Sequence, residues 1–113
     1  MEHKATETIE RIRNRLESAD AIDEGRRQEL TQLLESLSQE VGDIEKTRRE
    51  HAESISHFAE LSAREATREE RDQHLVDLAL EGLSRSVKDF EVSHPRLVQA
   101  VNSFCMMLSG IGI

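Results

Sequence analysis

Aromatic residues are scarce in this chain: three phenylalanines stand among 113 residues, with no tryptophan and no tyrosine. The apolar 36% is therefore mostly leucine, isoleucine, valine and alanine, a core composition that suits packed helices better than a sheet. Cysteine is rarer still. Cys105 stands alone, so no internal disulfide can form, and a secreted domain of this size would usually carry several; a cytoplasmic location is expected. No apolar run approaches the roughly 20 residues needed to cross a bilayer, and Met1-Glu2-His3-Lys4 leads into a polar helical pattern without the apolar core of a signal peptide. A glycine-rich phosphate loop, a CxxC pair and a Ser/His/Asp framework are all missing, which points to a protein that is not an enzyme and that needs no cofactor or metal.

Positive charge is also in deficit. Fifteen Lys and Arg against 23 Asp and Glu leave a net charge of -8. Nucleic acid is thus excluded as a partner, because binding to phosphates depends on a surplus of basic side chains. The arginines cluster at 11, 13 and 15, at 26 and 27, and at 48 and 49, but always among glutamates. Glu7 with Arg11, Glu45 with Arg49, and Glu60 with Arg64 have the spacing of helical ion pairs on a solvated face.

The strongest pattern present is a run over residues 24–62. Leu30, Leu34, Leu37, Val41, Ile44, Arg48, His51, Ile55, Phe58 and Ser62 recur at steps of four and three, the seam of a coiled coil, interrupted by no proline and by an isolated Gly42. The pattern predicts one continuous long helix. Before it, Ala5, Ile9, Ile12, Leu16 and Ala19 form the stripe of a helix over 3–19, and Asp23 is placed to cap the long helix. After it, Thr67-Arg-Glu-Glu70 has the form of a capping box opening a third helix over 68–91, with Val76, Leu80, Leu83, Val87 and Phe90 on its stripe and Leu75 and Leu78 widening it. Pro95 opens a fourth helix over 95–108, capped by Ser93 or His94, and Gly110 is the expected left-handed stop.

The predicted fold is all-α: an antiparallel bundle of about four helices forming one domain, whose long second helix extends as a coiled-coil arm. At about 1.5 Å of rise per residue, that helix would be about 60 Å long and would outrun its neighbours. Residues 46–85 would then form a two-helix arm with uncovered apolar stripes, which a second copy would cover. A homodimer is therefore expected, with a further helical protein as a possible partner and no membrane role required. Met106, Met107, Ile111 and Ile113 offer a possible docking patch.

The C-terminal region carries a resemblance. Phe90-Glu91-Val-Ser-His94-Pro95-Arg-Leu97, followed by Leu108-Ser-Gly-Ile-Gly112-Ile113, resembles the closing signature of the short bacterial proteins grouped as domain of unknown function 4404. Leu16-Glu-Ser-Ala-Asp20-Ala-Ile-Asp23 with Leu30 and Leu33-Leu34 is similar to that family's leading helices, whereas the tract from about Lys46 to Glu70 looks longer. The resemblance implies a bacterial source and a helical fold, and it transfers no activity.

Two histidines merit weighing. Glu91 and His94 have a Glu-x-x-His spacing, which on a helix would place a carboxylate and an imidazole on one face, as in di-iron bundles. A single such motif beside a proline reads instead as a helix corner. His51 lies on the predicted seam, where protonation could weaken an interface, although a polar position that sets register is favoured. Cys105, Met106 and Met107 read as packing residues. The chain is thus expected to be a non-catalytic oligomerisation or interaction module. The alternatives are a metal-binding bundle and a protein held to a membrane surface by its apolar tail.

Overall fold

The computed structural model of the chain describes residues 4–20 and 22–111. Five α-helices follow in order: α1, Lys4–Ser18; α2, Glu24–Glu45; α3, Arg49–Ala66; α4, Gln73–Ser86; and α5, Pro95–Ser109. A short 3-10 turn over Lys88–Phe90 precedes the last. Among the described residues there is no strand.

The first two helices start and stop where their side chains dictate. Ala5, Ile9, Ile12 and Leu16 are buried on one face of α1. Asp23, in extended backbone, accepts a hydrogen bond from the Arg26 amide at 2.9 Å and caps α2. The corner between them is held by Arg27. Its guanidinium donates to the carbonyls of Leu16 (3.3 Å), Ala19 (2.8 Å) and Ile22 (3.0 Å), which have no partner within a helix once α1 has ended.

The continuous rod predicted over 24–62 does not form. α2 stops at Glu45, the chain turns through Lys46 and Thr47, and α3 begins at Arg49. The amides of Thr47 (3.2 Å) and Arg48 (2.6 Å) both donate to the Ile44 carbonyl, and Arg48 takes up φ -136° and ψ 64°. No glycine or proline marks the break. What drives it is burial: folding α3 back places Ala52, Ile55, Ala59, Ala63 and Ala66 in the same core as Leu30, Leu34, Leu37, Val41 and Ile44, instead of leaving half of the rod exposed. The longest dimension is 37 Å, not the 60 Å or so of the expected helix, and among the described residues no coiled-coil arm projects.

The next boundaries differ in detail. Thr67 terminates α3 and turns its hydroxyl back onto the Ala63 carbonyl at 2.8 Å, so the expected capping box is not made. Asp72 caps α4 instead, accepting from the amides of His74 (2.9 Å) and Leu75 (3.4 Å). The helix predicted over 68–91 is accordingly shorter. Pro95 is the first residue of α5, as its fixed φ favours, and Gly110 ends that helix in right-handed geometry (φ -88°), not the left-handed form expected of it.

The helices pack side by side around one core. α1 lies against α2 and α3, α3 against α4, and α5 closes the ring between α4 and α2. The direction alternates along the chain, so the starts of α1, α3 and α5 share one end of the bundle with the last turn of α2. At the other end, Arg26 of α2 donates to the Gly110 carbonyl at 2.6 Å, and Arg71, before α4, donates to the carbonyls of Ser109 (3.3 Å) and Ile111. The final turn of α5 carries no basic residue, so these two arginines supply the cations that its carbonyl end favours.

Candidate interaction surface

The residues singled out as a seam divide. Leu30, Leu34, Leu37, Val41 and Ile44 are buried on α2 and Ile55 on α3, all within the chain's own core. His51 and Phe58 are exposed, Phe58 to 38%. The inward face of α3 is made of alanines at steps of three and four around Ile55, and this rotates Phe58 toward α4. There its ring covers Gly82, where a Cβ would stand 2.4 Å from the ring.

The family-like motif and His51 come together at the end of the bundle where α3 and α5 begin. Phe90 is buried, and its ring is met edge-on by His51 (centroids 5.6 Å apart, planes at 87°) and by His94 (5.5 Å, 76°). The Arg48 guanidinium lies 5.6 Å from the ring centroid, within cation–π range. His94 occupies the cap position of α5 without a side-chain cap bond; its Nδ1 instead pairs with the Ser93 hydroxyl at 2.9 Å. Glu91 is exposed and follows the 3-10 turn, so it shares no helix face with His94 and the arrangement of a di-iron motif is not made. Leu97 is buried beneath this corner. Gly112 and Ile113 lie outside the described residues. Among those described, no group of three or more His, Cys, Asp and Glu is placed to hold a metal ion, and no helix is long and apolar enough to cross a membrane.

Of the expected docking patch, Ile111 is buried and Ile113 is not described, whereas Met106 is 75% exposed and Met107 half-buried. The two methionines line an open cleft of about 460 Å³ between α2 and α5, together with Glu29, Gln32, Leu33, Ser36 and Ser103. α5 has one charged residue, Arg96 in its first turn; beyond it, Gln99, Asn102, Ser103 and Met106 are exposed at steps of three and four. In a chain where 34% of residues are charged, this is an uncharged surface stripe with a soft apolar end. Cys105, on the same helix, is partly buried, and that burial pushes its thiol up to about 11, so it stays protonated and poorly nucleophilic at neutral pH.

Several organising residues were not found by sequence spacing. None of the three expected helical ion pairs is made as drawn. Arg11 of α1 reaches Glu60 of α3 instead, Nε to Oε2 at 2.9 Å and Nη2 to Oε1 at 3.4 Å. These hydrogen bonds hold the Glu60 carboxyl below its ordinary value and raise that of Arg11. Glu45, buried at the last turn of α2, accepts from the Ala5 amide (3.1 Å) and the Thr6 hydroxyl (3.3 Å), capping α1 from 40 residues away. A carboxylate at that position satisfies a free amide and sits at the positive end of the helix dipole. Periodicity within one helix carries no signal for such partners.

Comparison with known proteins agrees with the closing motif. The family described as domain of unknown function (DUF4404) matches residues 30–113, a stretch that includes the Lys46–Glu70 tract and leaves out Leu16–Asp23. No curated protein and no solved structure shows significant similarity. With the Phe90–Leu97 corner and α2 through α5 all inside the matched stretch, the chain belongs to the DUF4404 family.

Proposed function

We propose that the protein is a non-catalytic helical interaction module that works by self-association. The observation that carries this reading is the α2–α5 face. There an exposed Met106, half-buried Met107 and Leu33, and a row of small or amide side chains interrupt an otherwise charged surface. Desolvating the centre of such a face costs little, because Leu33, Ser36, Ser103 and Met106 carry no charge that must give up its water, and methionine adapts its shape to whatever it meets. Three groups weighed for chemistry are engaged in packing or kept unreactive: the Cys105 thiol is held protonated, and His51 and His94 both pack on Phe90. Among the described residues no coiled-coil arm projects, so the reading stands on this face. A lone thiol and an acidic surface suit the cytoplasm of a bacterial cell.

The test is light scattering on the full chain from 1 to 500 µM. A mass rising from 12.9 kDa toward twice that value supports the reading. A constant monomer mass across the range rejects it.

A further inference from the structure

α3 and α5 begin with the same backbone geometry. Arg48, before α3, has φ -136° and ψ 64°; His94, before α5, has φ -138° and ψ 68°; neither supplies a side-chain cap. At α5 the next residue is Pro95, whose ring keeps the residue before it out of helical geometry, so that start is locked. At α3 the next residue is Arg49, which sets no such limit. The interruption between α2 and α3 is also slight. Lys46 keeps helical dihedrals (φ -67°, ψ -35°), the Arg48 amide still donates to Ile44 four residues back, and the Ala52 amide donates to Arg48 at 3.0 Å. The three helix bonds between these, from the amides of Arg49, Glu50 and His51, are not made among the described residues. The starts of α1, α2 and α4 have a carboxylate in place of such bonds, from Glu45, Asp23 and Asp72, and α3 has none. Rotation about Arg48 would restore all three, and the steps of four and three through Ile44, Arg48, His51 and Ile55 run on across the break.

We infer that the junction over 46–48 is a hinge, and that two copies of the chain exchange their α3–α5 halves through it. In the exchanged pair α2 and α3 form one helix over 24–66. Each bundle is built from α1 and α2 of one copy and α3, α4 and α5 of the other, so the contacts of α3 with α1 and of α5 with α2 are made between chains instead of within one. The long helix runs from one bundle into the other and leaves no stripe uncovered. Because both forms bury the same core, their balance is set by the hinge and by protein concentration. A hinge that is neither capped nor held by proline gives the compact form little local advantage. The inference goes beyond the self-association reading, since it needs nothing from the α2–α5 face, which is rebuilt on the outside of either form.

The experiment refolds the full-length chain from urea at low and at high concentration and separates monomer from dimer by size exclusion. High concentration should yield a dimer that reverts slowly on dilution, because a bundle must open before the copies can part. Arg49→Pro should lower its yield by a factor of about 100 or more, since each long helix would carry an interior proline. The monomer should fold as before, because a first helical position accepts proline. Thr47→Ala, at an exposed branched residue, should raise the yield about fivefold. Spin labels at Gln28→Cys and Arg64→Cys, in a Cys105→Ala chain diluted with unlabelled chain, read the shape directly. They stand about 54 Å apart along one straight helix, against less than the 37 Å longest extent of the compact form. A long distance in a dimer that Arg49→Pro abolishes and Met106→Glu leaves intact upholds the inference. A dimer indifferent to Arg49→Pro, or one whose labels stay within 37 Å, overturns it and leaves self-association standing. Monomer alone at every concentration, in wild type and in Thr47→Ala, overturns both.

Discussion

Removing the Glu45 carboxylate tests whether a contact between the ends of the first two helices holds the bundle together. Ala5 is fully buried, so in Glu45→Ala its amide loses an acceptor that water cannot replace. An unsatisfied buried donor costs about 1–3 kcal/mol. Loss of a carboxylate at a helix start adds about 0.3–1 kcal/mol, and relief from keeping a charge at 6% exposure returns part of this. The expected loss is about 2–3 kcal/mol, on the order of 10 °C in Tm for a chain of this size. Urea unfolding followed at 222 nm measures it as a lower midpoint at unchanged slope. Glu45→Gln keeps an acceptor without the charge and should lose about 0.5–1 kcal/mol. Glu40→Ala, on the same helix and without a hydrogen bond or ion pair among the described residues, should change nothing. If Glu45→Ala lies within 0.5 kcal/mol of wild type, the carboxylate does not cap α1 and the reasoning fails.

Other consequences are more local. Because its hydrogen bonds with Arg11 hold Glu60 below the ordinary value of 4.5, the pair's stability is present above that pH and is lost as pH falls through the lower folded value. Urea midpoints of wild type and Glu60→Gln should therefore differ at pH 7, by no more than about 1 kcal/mol for so exposed a pair, and converge as pH falls below the ordinary value of 4.5. For Cys105 the sign is opposite: the unfolded thiol ionises near 9 and the folded one near 11, so stability declines as pH rises between them, and Cys105→Ala should flatten that decline. Iodoacetamide at pH 8 should label the native thiol far more slowly than the urea-unfolded one. Gly42→Ala, where a Cβ meets nothing within 4 Å, should raise stability by about 0.5–1 kcal/mol. Gly82→Ala should bring no such gain, since the new methyl displaces the Phe58 ring.

Much of the fold was legible because leucine, isoleucine and valine at helical spacing report a buried face directly. Ala5, Ile9, Ile12 and Leu16 of the first stripe and Leu30, Leu34, Leu37, Val41 and Ile44 of the second are buried, and Asp23 caps where its position predicts. The break at Lys46 was not legible, and the reason lies in α3. Its core face is Ala52, Ile55, Ala59, Ala63 and Ala66, with Ser56 and Ser62 also buried. Alanine contributes little apolar area, so a search for large side chains passes over it and settles on Phe58, which is two-fifths exposed. Small side chains let helices approach closely, and α3 duly packs against α1 on one side and α4 on the other. An alanine row flanked by leucine-rich helices is thus the sequence sign of a central helix, and a central helix cannot also be the distal half of a projecting rod.

The same logic explains why the family motif was visible but its role was not. Phe90 and Leu97 are large and spaced as a corner requires, and Pro95 fixes where α5 starts. What the motif encloses comes from 40 residues earlier: Arg48 and His51 reach the Phe90 ring because the chain turned at Lys46. Had α2 run on as one rod, both would have continued its apolar stripe past Ile44 and would not have turned back to the Phe90 ring. The turn that removes the arm therefore creates the aromatic corner. It also brings Lys46 and Arg49 to one cleft with Arg96, among the carboxylates of Glu40, Asp43 and Glu45, so a single turn without glycine or proline decides both the aromatic corner and the charged edge beside it.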